Sequence, residues 1–173
     1  MGVQSSVEVV TGGPPSIEEL YRTYGPSVLR RARSLLGDEQ AARDAMQEVF
    51  VRAMQSKVEF REGVSPMTWF YRVTTNYCLN QIRNRGRRLR VLSREMSSEP
   101  VAAAVAEDQV AVKEILSRVP DELGQIAVYY FIDHMKQEEI AEIIGVSRRT
   151  IGNRLEEFKK LARIELNEEL EIA

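Results

Sequence analysis

Cysteine and histidine are almost missing from this chain. Its 173 residues hold one of each, Cys78 and His134. A lone cysteine cannot close an internal disulfide, and neither residue has a Cys or His neighbour at metal-ligand spacing. No disulfide, metal or cofactor is therefore expected, and the setting reads as reduced and cytoplasmic. Cys78 sits among apolar residues and reads as a small core filler. Long apolar runs are missing too. IAVYYFI, residues 126–132, is far too short to cross a bilayer, so no membrane insertion is expected. The opening MGVQSSVEVVTGGPP lacks the basic start and apolar block of a secretory signal. Residues 1–15 read as a disordered lead-in, with GGPP as punctuation. No segment alternates polar and apolar residues over more than a few positions, which argues against a sheet. There is no glycine-rich phosphate loop, and the histidine has no evident base or nucleophile partner. Catalysis is not expected.

What the sequence does contain is helical periodicity. Ser16-Ile-Glu-Glu19 has the form of a capping box, and Leu20, Tyr24, Val28, Arg31 and Leu35 follow at helical spacing. Gly37 breaks that helix and Asp38 can cap the next, over about 39–56. There Ala42, Ala45, Met46, Val49, Phe50 and Ala53 form one stripe, and Asp44, Gln47, Glu48 and Arg52 the other face. FREGVSP, residues 60–66, reads as a loop. Pro66 suits a first helical turn, and a third helix is expected from about Met67 to Arg85. Trp69, Phe70, Val73, Tyr77, Leu79 and Ile82 supply its buried side, and Gly86 is expected to end or loosen it. Residues 93–107, SREMSSEPVAAAVAE, are small, polar and acidic and read as a linker. A second block begins near Asp108. The expected fold is all-α: two small helical bundles, 16–92 and 108–173, joined by a flexible linker.

KQEEIAEIIGVSRRTIGNRLEEFKK, residues 136–160, carries the most structured motif. Ile140, Ala141 and Ile144 give a short helix its inner face. Gly145 stands where a turn needs positive φ, Val146 plugs the corner, Ser147 can cap the next helix, and Ile151 and Leu155 point back to the core. This spacing is that of a helix-turn-helix. The outward residues at the second helix start are Arg148, Arg149, Thr150, Asn153 and Arg154, types suited to base edges and phosphates. A helical hairpin with a solvated basic face is the plainer alternative.

QIRNRGRRLR, residues 81–90, concentrates five arginines without an acid, although the chain carries 24 Lys and Arg against 26 Asp and Glu. Positive charge at a helix C-terminus complements the helix dipole. It also suits phosphate, since neutralising phosphates releases counterions. Trp69 by itself reads as a core residue.

Two segments carry a resemblance. DAMQEVFVRAM (44–54), followed by Phe60, a loop and TWFYRVTTN (68–76), resembles the second region of bacterial RNA polymerase sigma factors. LSRVPDELGQIAVYYFIDHMKQEEIAEIIGVSRRTIGNRL (116–155) resembles their fourth region. With only a linker between them, the layout resembles the small extracytoplasmic-function class of the sigma-70 family.

The resemblance implies roles residue by residue. Asp44, Gln47, Glu48 and Phe50 fall where the family binds the coiled-coil clamp of core RNA polymerase. Phe60, Arg61, Ser65 and Thr68 fall in the loop that captures a flipped base of the minus-ten element. Arg72, Asn76 and Asn80 follow along the helix, and Arg83, Arg85, Arg87 and Arg88 face promoter phosphates. Ser147, Arg148, Arg149, Thr150, Asn153 and Arg154 fall where the minus-thirty-five duplex is read. Gly152 and Asn153 replace the basic residue and serine usual in the family, and Glu156 and Glu157 stand where bases are common. The implied partners are core RNA polymerase, promoter DNA and an anti-sigma factor. The implied function is promoter selection and strand opening at the minus-ten element. Two other readings stay open: a dimeric helix-turn-helix regulator that binds duplex DNA without polymerase, and a helical adaptor that binds only protein.

Overall fold

The computed structural model describes residues 15–55, 65–95 and 107–172. Within them every regular element is helical, and no strand occurs among the described residues. The expected lead-in, most of the linker, and Phe60 and Arg61 lie outside the described residues.

Local signals set most boundaries. Helix α1, Ile17–Leu36, opens on a complete capping box. Glu19 N–H donates to Ser16 Oγ at 3.2 Å and Ser16 N–H donates to Glu19 Oε2 at 2.9 Å. It closes on Gly37 at φ 69°, whose N–H donates to the Arg33 carbonyl at 2.9 Å. Asp38 then caps α2, Glu39–Gln55, by accepting from Ala41 N–H at 2.7 Å. Helix α3, Pro66–Glu95, starts from the Ser65 carbonyl, which accepts from the Thr68 N–H at 3.0 Å.

Helix α3 corrects one expectation: it does not stop at Gly86 but runs on to Glu95. The reason is packing against α4, Glu107–Arg118. A Cβ on Gly86 would stand 2.7 Å from both Cβ and Oγ of Ser117, closer than atoms tolerate. A glycine inside a helix costs about 1 kcal/mol relative to alanine. Here it lets two helices cross at contact distance.

Helix α5, Asp121–Ala127, continues into a π-helical turn, Val128–Ile132. There Asp133 N–H donates to the Val128 carbonyl at 3.0 Å. Helices α6, Gln137–Ile144, and α7, Arg148–Ile172, meet at the expected turn. Gly145 sits at φ 83°, and the Gly145 and Val146 N–H groups both donate to the Ala141 carbonyl, at 2.8 and 3.1 Å. Ser147 Oγ accepts from Thr150 N–H at 3.1 Å and caps α7.

The buried residues form two clusters. One belongs to the first three helices: Leu20, Val28, Val49, Phe50, Ala53 and Phe70, with Trp69 packed alongside. Phe70 is enclosed by aromatic neighbours, with Phe50 at 5.0 Å, Tyr24 at 5.1 Å and Trp69 edge-on at 5.0 Å. The other cluster joins the halves. Cys78, Leu79 and Ile82 from α3 share it with Leu116, Ile126, Val128, Tyr129, Ile140, Ile151 and Leu155. Side chains of this size contribute about 1.5–3 kcal/mol each when fully buried.

Gly152, unlike Gly86, is not required by its surroundings. A Cβ there would make an ordinary 3.5 Å contact with Gln137 Oε1. Gly152→Ala is therefore expected to stabilise the chain by about 0.5–1 kcal/mol, read as a higher denaturant midpoint with an unchanged slope.

Candidate functional site

Three polar surfaces and one buried charged network stand out. The first surface is the outer face of α2. Asp44 and Gln47 are exposed and Glu48 is half-exposed. Among the described residues, the two carboxylates are held by neighbours on the same helix: Gln40 Nε2 donates to Asp44 Oδ1 at 2.9 Å, and Arg52 Nε to Glu48 Oε1 at 2.9 Å. Solvated pairs of this kind are worth little, so both carboxylates are available to a partner. Phe50 was expected on the apolar stripe by spacing and at the clamp position by resemblance, and the structure favours the stripe. It is buried, with its ring 4.9 Å from Tyr21 and 5.0 Å from Phe70, and so belongs to the core rather than to this face. In its place α2 presents Val51 and Met54, the latter 61% exposed. Their spacing from Asp44 and Gln47 was the available signal, since i, i+3, i+4 and i+7 share one helix face.

The second surface lies along α3. Arg72, Asn76 and Asn80 are exposed at four-residue intervals, and Arg85, Arg87 and Arg88 are exposed further on. Ser65 and Thr68 frame the start of the helix. Arg83 departs from the expected exposed cluster. It is buried, pairs with Asp121 at the start of α5, and donates from Nη1 to Asn80 Oδ1 at 3.1 Å. Its Nε finds no hydrogen-bond partner among the described residues. Burial, and then the charge of Arg87, press its pKa below the ordinary arginine value. Such a cation gains from any added anion.

The third surface is the start of α7. Arg149 and Asn153 are exposed. Arg148 is exposed but pairs with Glu138 at 2.7 Å, and Arg154 pairs with Glu122 at 2.7 Å. Thr150 is partly taken up by the cap, with its Oγ1 2.8 Å from Ser147 Oγ. Glu156 and Glu157 are exposed one turn on, and Glu156 is bonded by Lys159 at 2.7 Å.

The network was not legible in the sequence. Arg31, 8% exposed, grips Asp133 with both terminal nitrogens, Nη2 to Oδ2 at 2.7 Å. The Tyr71 hydroxyl donates to the same Oδ2 at 2.5 Å, and Arg31 Nε donates to Thr75 Oγ1 at 3.3 Å. The guanidinium also lies 4.4 Å from the Tyr71 ring centre. Burial, and then the bond to Asp133, raise the Tyr71 pKa and keep it protonated. Nearby, burial pushes the Cys78 thiol up to about 12, which fits an inert core cysteine. Among the described residues, no group of three His, Cys, Asp or Glu side chains could hold a metal ion. No described helix is long and apolar enough to cross a membrane.

Residues 20–88 match the family description Sigma-70 region 2. The chain is 29% identical over 157 residues to the ECF RNA polymerase sigma factor SigE of Mycolicibacterium smegmatis, covering 86% of this chain and 61% of that protein. The chain thus spans less than two thirds of that relative. It is 25% identical to the ECF RNA polymerase sigma factor SigW of Bacillus subtilis, over 93% of this chain and 94% of that one. A solved sigma factor, RpoE in complex with the anti-sigma factor NepR from Bartonella quintana, is similar in fold. Its TM-score is 0.50 at 21% identity, over 87% of this chain and 96% of that one.

The placement of Phe50 gives a test. Phe50→Ala is expected to lower stability by about 3–5 kcal/mol in denaturant unfolding, the cost of emptying an aromatic core site. An unchanged midpoint would return Phe50 to the surface.

Proposed function

We infer that this chain belongs to the sigma-70 family, in its extracytoplasmic-function class, and its function follows from that reading. It directs core RNA polymerase to specific promoters and helps open the strands at the minus-ten element. It carries out no bond chemistry itself, and it works in the cytoplasm, where polymerase and promoter are. The observation that carries this reading is the separation of two unlike surfaces on one small bundle. Helix α2 offers carboxylates beside exposed Val51 and Met54, and α3 offers Arg72, Asn76, Asn80, Arg85, Arg87 and Arg88.

The first surface suits a basic protein partner, and core polymerase is the one this reading assigns to it. The apolar side chains add desolvated area at the centre of such a contact, where binding energy concentrates. The second surface suits single-stranded DNA held by its backbone. Holding a base out of the stack costs a few kcal/mol, which charge and hydrogen bonds along α3 help to repay. The helix-turn-helix gives the second half a groove-reading element. Residues 16–92 and 108–173 would grip one promoter at two places, each contact raising the effective concentration of the other. Glu156 and Glu157 oppose phosphate and weaken the second grip. An anti-sigma factor is a further partner in this reading, supported by the solved relative in complex with one.

Two experiments test these assignments. Asp44→Arg with Glu48→Arg is expected to weaken co-elution with core polymerase by at least about 100-fold while helicity is kept, because like charges across an interface cost several kcal/mol. Normal co-elution would remove the α2 assignment. Changing Arg85, Arg87 and Arg88 together to alanine is expected to lower promoter-complex affinity. It should also flatten the slope of log affinity against log salt by about 2–3, at roughly 0.7–0.9 for each phosphate no longer neutralised. An unaltered slope would place the phosphates elsewhere.

A further inference from the structure

We propose that, away from polymerase, two copies of this chain pair reciprocally, the outer face of α2 in each lying along the last turns of α3 in the other. The end of α3 carries apolar surface that nothing described so far uses. Leu89 and Leu92 are 58% and 52% exposed. One such leucine is ordinary on a surface, but these two stand on one side of the helix with Arg85 and Arg88, at i, i+3, i+4 and i+7. At about 3.6 residues per turn, that side lies roughly 150° around α3 from Asn76 and Asn80. The stripe that suits unpaired bases therefore leaves both leucines in water.

Helix α2 carries the complement. Asp44, Gln47, Glu48 and Val51 repeat the same spacing, and Met54 extends it. Both stripes run from charge to apolar residue in chain order. Laid parallel, Asp44 and Glu48 of one copy meet Arg85 and Arg88 of the other, and Val51 and Met54 meet Leu89 and Leu92. Laid antiparallel, carboxylates would face leucines, so charge selects the parallel register. Arg85 and Arg88 stand in solvent without a carboxylate partner among the described residues. One chain cannot make this contact with itself. Phe70 of α3 packs on Phe50 of α2 with ring centres 5.0 Å apart. At about 1.5 Å per residue, Leu89 lies about 28 Å farther along the same unbroken helix. Val51 and Met54, which neighbour Phe50, are therefore out of reach of their own Leu89 and Leu92. The stripes are short even when used twice, so the pair is weak and forms at roughly 10–100 µM. On the sigma-factor reading, pairing covers the polymerase face and part of the arginine cluster together, and polymerase dissolves the pair by taking α2. That consequence rests on the reading, whereas the pairing itself does not.

Sedimentation velocity of the full chain reads the pairing, with circular dichroism as the check on folding. From about 1 to about 200 µM at low salt, the wild type should pass from monomer to dimer, and added salt should weaken the pair. Asp44→Arg with Glu48→Arg should stay monomeric, and so should Arg85→Glu with Arg88→Glu, because each sets like charges face to face. Mixed in equal amounts, the two variants should pair again, since both contacts of the mixed dimer join opposite charges. Leu89→Ala with Leu92→Ala should weaken pairing at least about 5-fold, through lost apolar burial, and leave co-elution with core polymerase intact. A wild type that is monomeric throughout overturns the proposal, as does growth beyond the dimer. A mixture of the two charge variants that stays monomeric overturns it as well. Undiminished pairing of the leucine variant overturns the register. Co-elution of the wild type with core polymerase is measured separately and reports on the sigma-factor reading, so the two failures are told apart.

Discussion

A guanidinium taken out of water must be paired, and Arg31 meets that demand with Asp133, a residue 102 positions further on. Leaving either partner alone in that site would cost several kcal/mol, which fixes the register of the two halves against each other. The π-helical turn at Val128–Ile132 is what delivers the carboxylate. It widens the end of α5 and lets Asp133 emerge toward α1 rather than into solvent. Tyr71 and Thr75 satisfy the remaining donors and acceptors around the pair. Once this node is set, α5 lies along α3, and Asp121 comes to Arg83.

Helix α3 carries several duties at once. Its first turns bury Phe70 in the aromatic cluster of the first half, and its middle buries Cys78, Leu79 and Ile82 against the second. Its outer face keeps Arg72, Asn76 and Asn80 in solvent, and its final turns keep Arg85, Arg87 and Arg88 there. A 30-residue helix can do this because successive residues point about 100° apart, so unlike surfaces run along its length. Gly86 is where two duties collide. Helix propensity disfavours it, but the approach of Ser117 excludes any larger residue.

How much of this could be read in advance follows the range of the interaction. The caps at Ser16, Gly37, Asp38, Gly145 and Ser147 are local, and each was legible from residue type and spacing. So was the helix-turn-helix, whose apolar and glycine positions lie within one short stretch. The end of α3 was misplaced because a glycine in sequence looks like a stop, and the neighbour that requires it lies on another helix. Phe50 stood on the apolar stripe of α2 by spacing, and its burial follows that stripe rather than the position the resemblance implied. Arg83 could not be told from its neighbours in the cluster, since composition carries no record of which arginine meets an acid from the other half. The apolar face of α3 was visible, but not whether it is buried within one bundle or shared by two. The pairing of Arg31 with Asp133 leaves no trace in spacing at all.

Charge ties these levels together. The chain carries a net charge of only −2, so its cations and anions can largely satisfy one another. They do so across the halves, Arg83 with Asp121 and Arg90 with Glu114, and along the second half, Arg154 with Glu122. Each such pair is weak where solvent reaches it, and salt weakens it further. Beside these pairs, Arg72, Arg85, Arg87 and Arg88 stay exposed. On the promoter-binding reading, DNA offers such arginines a denser line of negative charge than scattered carboxylates do, together with a gain in counterion entropy.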